Sequence, residues 1–169
     1  MKTLRLMAEP LEMCSGSWCR SRGCERRADC SQSVLYDGLM TSFTRTVLFT
    51  DTDGRARFRD EPIPLDQGNE KARLSAVLPT QGLQLRRSPV GFQSEFHVSS
   101  HAQWVFILQG QMDIGLQDGS WRLFGPGEHF FSADLLPAGA VFDPQLHGHR
   151  SRQRGEQDLV TAFVRAEYE

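Results

Sequence analysis

The chain has 169 residues, of which 39% are hydrophobic and 24% are charged, and this composition is typical of one soluble globular domain. Nineteen Lys and Arg residues stand against 21 Asp and Glu residues, so the formal net charge of -2 does not favour general nucleic-acid binding. The longest aliphatic and aromatic run covers residues 104–108, far fewer than the roughly 18 apolar residues that cross a bilayer. We therefore expect neither a nucleic-acid partner nor insertion in a membrane.

Residues 1–39 differ in composition from the rest of the chain and contain all the cysteines. No two cysteines have the C-x2-C spacing of a zinc module, and no histidine precedes His97 to complete one. A secretory signal would need an apolar core that is missing here, so we expect a cytoplasmic protein with reduced thiols. We predict a disordered extension over residues 1–39 and one domain over residues 40–169. The cysteines are Cys14, Cys19, Cys24 and Cys30.

Short alternating apolar runs predict strands in the first half of this domain. Residues 47–49 form a β-rich run that ends at an Asp-Gly hairpin signal, residues 53–54. Residues 56–59 alternate before Pro62 and Pro64, which exclude both a helix interior and a central strand. Residues 70–77 are the only weak helical candidate, and residues 82–87 predict the next strand.

Short apolar runs separated by glycine turns continue through the second half of the domain. Glycine signals at Gly110, Asp118-Gly119 and Gly125-Pro126-Gly127 separate these runs, which together predict an antiparallel meander. A β-branched and aromatic run over residues 159–164 predicts a closing strand. We therefore predict an all-β sandwich or barrel. The runs before the closing strand cover residues 103–108, 112–116, 120–124 and 130–133.

All five histidines lie within residues 97–149. In a strand, residues of equal parity share a face, so His97 is expected to face the same way as Ser99, and His147 the same way as His149. Imidazoles from two strands, completed by a carboxylate or amide oxygen, would suit a divalent metal ion. His129 and His147 are better explained as surface or hydrogen-bonded residues.

Residues 91–110, GFQSEFHVSSHAQWVFILQG, resemble the first sequence motif of the cupin superfamily. The spacings from Gly91 to His97 and from Gln103 to Gly110 fit that motif. Residues 118–127 resemble the region between the cupin motifs, and residues 147–152 resemble the end of the second motif in small single-domain cupins. The resemblance implies a double-stranded β-helix, or jelly roll, with a pocket at the mouth of the barrel.

The chain departs from the metal-binding cupin pattern at two positions. Ser99 replaces the second histidine of the first motif, and Gln103 replaces its glutamate. The resemblance then implies a divalent metal ion, Fe, Mn, Ni or Zn, bound by His97 and His149 with Gln103 as a neutral ligand and His101 as a weaker candidate. Loss of the carboxylate should lower the affinity for the metal.

The second motif has two possible alignments. One places Pro137-Ala138-Gly139 on the motif and puts Phe142 at the ligand position, where it cannot bind a metal. The other treats residues 135–145 as an enlarged loop, a candidate lid over the pocket, and puts His149 at the ligand position. We prefer His149.

Arg86 and Asp134 are further candidates at the substrate side of this site. By resemblance to small cupins, Arg86 would face an anionic substrate. Asp134 directly follows the predicted strand over residues 130–133 and is placed to orient His149 through a hydrogen bond. Three functions stay open: a metal-dependent enzyme of oxygenase or isomerase type, a non-catalytic small-molecule-binding protein, and a scaffold that forms a homodimer through an edge strand.

Overall fold

The computed structural model describes residues 41–167, so the predicted disordered extension over residues 1–39 lies outside the described residues. The regular structure of the described part consists of strands alone, and no helix in it could span a membrane. The strands are β1 (Ser42–Thr50), β2 (Ala56–Pro64), β3 (Gln67–Asn69), β4 (Ala72–Leu74), β5 (Thr80–Ser88), β6 (Gln103–Gln109), β7 (Gln111–Gly115), β8 (Trp121–Phe124), β9 (His129–Ala133), β10 (Arg150–Arg154) and β11 (Leu159–Ala166).

Two sheets form the body of the domain. The larger has the order β2-β1-β9-β6-β11-β5 and the smaller has the order β10-β7-β8, while β3 and β4 form a separate hairpin. All the pairs are antiparallel except β1 with β9. This arrangement confirms the predicted all-β jelly roll.

The core lies between the two sheets, because alternate residues of each strand point inward. Leu48, Val105 and Ile107 of the large sheet pack in one buried cluster with Met112 and Ile114 of the small sheet. A second apolar cluster, which includes Val47, Trp104 and Phe131, lies on the opposite face of the large sheet. The large sheet therefore has an inner face, towards the small sheet, and an outer face.

The structure corrects two of the local predictions. The helical candidate over residues 70–77 is wrong, because residues 72–74 form β4, which pairs antiparallel with β3. The predicted meander is also wrong, because β6 and β7 belong to different sheets. The chain crosses between the sheets at Gly110, where φ is +71° and a Cβ would lie 2.6 Å from the Asp158 carbonyl oxygen.

No alternating apolar run in the sequence marks the strand β10. Its outward residues are arginines, and its inward residues, Ser151 and Gln153, are polar although they are buried. Such a strand lacks the apolar alternation on which sequence prediction depends. This strand begins directly after His149, so it places one of the candidate ligands.

Candidate functional site

His97 and His149 are cross-strand partners. Each donates its backbone N–H to the other's carbonyl oxygen, at 2.9 Å in both directions. Residues that face each other in this way project their side chains from the same side of the ladder. The two imidazole rings are in contact, with centroids 4.6 Å apart and an interplanar angle of 50°.

The backbone at Gly148 allows this close pairing. Gly148 has φ +82°, and a Cβ at this position would lie 2.3 Å from the carbonyl oxygen of His97. An L side chain is disfavoured at this φ and has no space here. The sequence Gly148-His149 is therefore required to bring the second imidazole against the first.

Both imidazoles use Nδ1 for a hydrogen bond within the protein. The Nδ1 atom of His149 lies 2.7 Å from Oδ2 of Asp134, and that of His97 lies 2.9 Å from the Glu95 carbonyl oxygen. Since a carbonyl oxygen can only accept, neutral His97 carries its proton on Nδ1, and the carboxylate favours the same tautomer in His149. In the neutral form of each ring, Nε2 is then the nitrogen without a proton, and neither Nε2 atom makes a hydrogen bond among residues 41–167.

Asp134 is completely buried and holds His149 in place. Its second oxygen, Oδ1, accepts a hydrogen bond from the Thr50 hydroxyl at 2.7 Å. The predicted hydrogen bond between His149 and Asp134 is present, with the Asp134 carboxylate as acceptor. Because both carboxylate oxygens have protein partners, Asp134 is placed to position His149 and not to contact a ligand itself.

His97 lies at the accessible side of the pair, whereas His149 is buried. Partial burial of the ring lowers the pKa of His97, and neighbouring His149 lowers it further. The neutral form of His97 is thus favoured near neutral pH, which is the form that binds a metal ion.

The other two predicted ligands are placed differently. Gln103 is half-buried on the inner face of the large sheet, in the row that continues with Val105 and Ile107. His101 is exposed, and its Nδ1 lies 3.0 Å from the Ser100 hydroxyl. Among the described residues, no three His, Cys, Asp or Glu side chains are grouped to hold a metal. His101 therefore does not join the histidine pair.

Ser99, at the second histidine position of the motif, contacts another serine. Its hydroxyl lies 2.7 Å from that of Ser132, which is the β9 partner of Gln103. Ser94 likewise contacts the hydroxyl of Ser151, at 3.3 Å. These hydroxyl pairs line the inner side of the barrel beside the histidines, and sequence reasoning did not predict them.

Arg86 is a half-buried cation on the inner face of β5. Its partner on β11 is Thr161, which in turn pairs with the inward-facing Ile107. The guanidinium lies over the Phe92 ring at 4.4 Å and makes no ion pair or hydrogen bond within residues 41–167. Burial lowers the pKa of Arg86, and its charge contributes to the lowered pKa of His97. The site therefore contains an unneutralised positive charge.

The two remaining histidines have structural roles, as expected from the sequence. Nδ1 of His147 accepts a hydrogen bond from the Asp143 backbone N–H at 2.9 Å, within the turn that ends the loop 135–149. His129 is stacked on Phe43, with ring centroids 4.6 Å apart. Burial lowers the pKa of His129.

The loop 135–149 is attached to the small sheet near its end. The Gln117 side chain donates hydrogen bonds to the carbonyl oxygens of Pro144 and His147, at 2.9 and 3.0 Å. Phe142, the alternative ligand position, lies beside the His147 ring, with centroids 6.2 Å apart. The geometry therefore favours the alignment that selects His149, and a lid function for this loop stays a prediction.

A cavity of about 610 Å³ opens beside this site and not between the histidines. Its lining includes His101, Leu135 and Arg165, and it contains neither His97 nor His149. Leu135 directly follows Asp134 in the chain, so the cavity borders the wall that carries the positioning carboxylate.

Comparison with known proteins gives a structural likeness at low sequence identity. No protein-family model and no curated protein matches the chain. Among solved structures, the chain is similar to the cupin domain of Cnp3 from Schizosaccharomyces pombe, with 14% sequence identity, a TM-score of 0.39, and coverage of 79% of this chain and 89% of that chain. The match assigns no ligand or activity to this chain.

Proposed function

We propose that the mouth of the barrel binds a divalent metal ion through the Nε2 atoms of His97 and His149. The observation that carries this proposal is the matched tautomer of the pair: each Nδ1 is engaged by an acceptor, so each Nε2 is available. Metal-bound histidines in proteins are typically supported at the other ring nitrogen in this way. Fe, Mn, Ni and Zn are the candidate ions.

The donor set fits such an ion with modest affinity. Two neutral imidazoles and the amide oxygen of Gln103 supply no negative charge directly to the metal, and Asp134 acts only through His149. The ion would keep exchangeable positions, at which an oxygenated small molecule would be polarised. This is the basis for a metal-dependent enzyme of oxygenase or isomerase type.

The test is metal binding by tag-free protein, measured by calorimetry with Fe(II), Mn(II), Ni(II) and Zn(II). We expect binding of one ion per chain, lost in the double variant His97→Ala/His149→Ala. His101→Ala is the matched control, because that histidine is exposed and outside the pair. Absence of binding by the parent, or equal binding by the double variant, would overturn the proposal.

A second candidate function is the non-catalytic binding of a small organic anion. The observation that favours it is Arg86, which faces the inner side of the barrel without an acidic partner among the described residues. A carboxylate would neutralise this guanidinium through paired hydrogen bonds. Such binding does not require the metal, so the two candidate functions can be tested separately.

The neighbouring arginine provides the control for this second test. Arg87 is exposed and paired with Asp158 at 2.6 Å. In metal-free protein, we expect succinate to raise the melting temperature of the parent and of Arg87→Gln, but not that of Arg86→Gln. Equal shifts in all three proteins would show that Arg86 does not bind the anion.

A further inference from the structure

The strand β5 contains a bulge where it pairs with the end of β11. Two residues of β5, Gln81 and Gly82, together oppose a single residue of β11, Arg165. Gly82 has φ +89°, a conformation that favours glycine in such a bulge. Two cavities adjoin the bulge, of about 610 and 300 Å³, and Gln81 and Arg165 line both. The bulge therefore turns Arg165 towards open space beside the barrel.

The larger cavity contains two opposite charges that do not pair with each other. Arg165 makes no ion pair or hydrogen bond within residues 41–167. Glu167 lines the same cavity, and its Oε1 accepts a hydrogen bond from the neutral amide of Gln81, whose Nε2 lies 3.0 Å away. A guanidinium and a carboxylate are thus both available to a ligand at one site.

The rest of the wall is partly apolar. Ala102, Leu135 and Ala166 contribute apolar surface, and Ser100 and His101 lie in the loop before β6. The hydroxyl of Ser100 is already engaged with Nδ1 of His101, at 3.0 Å. A cavity of this size with an apolar wall and a few polar groups is typical of a site for a small molecule.

We propose that this cavity binds an α-amino acid with an apolar side chain. The carboxylate of the ligand pairs with the guanidinium of Arg165, and its ammonium group pairs with Glu167. A simple anion is disfavoured because it meets the Glu167 carboxylate, and a simple cation is disfavoured because it meets Arg165. The side chain of the ligand lies against the apolar wall. This site is separate from the histidine pair, because neither His97 nor His149 lines the cavity.

The test is calorimetric titration of the metal-free full chain with three ligands that share one isobutyl group. L-leucine carries both charges, isocaproate lacks the ammonium group, and isoamylamine lacks the carboxylate. Without a metal ion, the amino acid cannot chelate one at the histidine pair. We expect L-leucine to bind about tenfold or more tightly than either of the singly charged ligands, because it makes both charge-assisted contacts.

Two substitutions separate these contacts. Arg165→Gln should lower the affinity for L-leucine by about tenfold or more. Glu167→Gln should bind isocaproate as tightly as L-leucine, because no carboxylate then faces the ammonium group. Both residues are exposed, so the fold should be retained in each variant. Arg87→Gln is the matched control, because Arg87 is paired with Asp158 and lies outside both cavities.

The location of the ligand is tested with the barrel residues. Binding of L-leucine should persist in His97→Ala/His149→Ala, so this proposal stands or fails independently of the metal site. Loss of L-leucine binding in Arg86→Gln would place the ligand inside the barrel and overturn the proposal. Absence of binding to the parent at millimolar concentrations, or equal affinity of the parent for L-leucine and isocaproate, would also overturn it.

Discussion

At the scale of single residues, Asp134 controls which nitrogen of His149 is free. The side-chain amide of asparagine at this position can donate an N–H to Nδ1 of His149. Nδ1 would then have to accept, so the imidazole proton would move to Nε2. For Asp134→Asn we predict a loss of metal affinity of roughly 10–100-fold, the usual effect of removing such a partner. Calorimetric titration of the variant measures this loss.

Asp113→Asn is the control for this prediction. Asp113 is also a buried carboxylate, but it pairs with Arg152 on the small sheet, away from the histidines. It should lower stability without changing metal affinity. If Asp134→Asn binds metal as tightly as the parent, the carboxylate does not set the tautomer of His149.

His129 provides a prediction about pH. Burial against Phe43 and Trp104 lowers the pKa of His129 below its ordinary value of 6.5, and its Nε2 atom has no hydrogen-bond partner among the described residues. The unfolded chain therefore takes up the proton more readily as the pH falls through about 6.5, so the free energy of unfolding decreases in that range.

We predict that His129→Phe reduces this loss of stability, because phenylalanine keeps the aromatic packing and does not titrate. Urea unfolding of parent and variant at about pH 7.5 and about pH 5.5 measures the difference. Leu108→Phe, which adds a phenylalanine at an exposed position without removing a titratable group, should leave the pH dependence unchanged. A parent with equal stability at both pH values would contradict the prediction.

Sequence reasoning identified the histidine pair but not how its members meet. The cupin-like spacing selected His97, and the ending Gly148-His149 selected the second residue. Direct cross-strand pairing depends on the register of an isolated bridge, which is long-range information. Thr50 gave no sequence signal either, because its contact with Asp134 joins residues 84 positions apart.

At the scale of elements, Gly148 gives the backbone the conformation that brings His149 against His97. Gly148 and Gly127 have nearly the same φ, +82° and +85°, but a Cβ at Gly127 would meet nothing within 4 Å. Alanine at Gly127 should therefore cost about 1 kcal/mol, from conformational strain alone. Alanine at Gly148 adds the clash with His97 and should cost about 3 kcal/mol or more.

Chemical unfolding of both variants measures this difference in stability. Gly148→Ala should also reduce metal binding, since relief of the clash separates the two imidazoles, whereas Gly127→Ala should bind as the parent does. Equal destabilisation by the two substitutions would show that the Gly148 backbone can move away from His97 without loss.

The strands were predicted from sequence wherever one side of the strand is apolar. The run over residues 47–49 lies within β1, and the runs over residues 82–87 and 130–133 lie within β5 and β9. Where both sides are polar, as in β10, alternation gives no signal, and in β3 and β4 every residue is exposed. The prolines of β2 correctly indicated that this strand is not central.

At the scale of the whole molecule, one buried cluster connects the two sheets. Ile114 of β7 is fully buried and belongs to the same cluster as Leu48 and Ile107 of the large sheet. The fold class was predictable because alternating runs require two facing layers, but the assignment of strands to layers was not, since it depends on which distant strands pair.

This shared core predicts that the two sheets unfold together. Ile114→Ala removes a side chain between them and should lower the free energy of unfolding by about 2–5 kcal/mol. Leu108→Ala, at an exposed position on the outer face, should change it by no more than about 0.5 kcal/mol. Hydrogen exchange under partly denaturing conditions should show the amides of β6 and β7 losing protection by the same amount in Ile114→Ala. If β7 lost protection while β6 kept it, the small sheet would unfold as an independent unit. The histidine pair adjoins β10 of that sheet. It could then separate from Asp134 without unfolding of the large sheet.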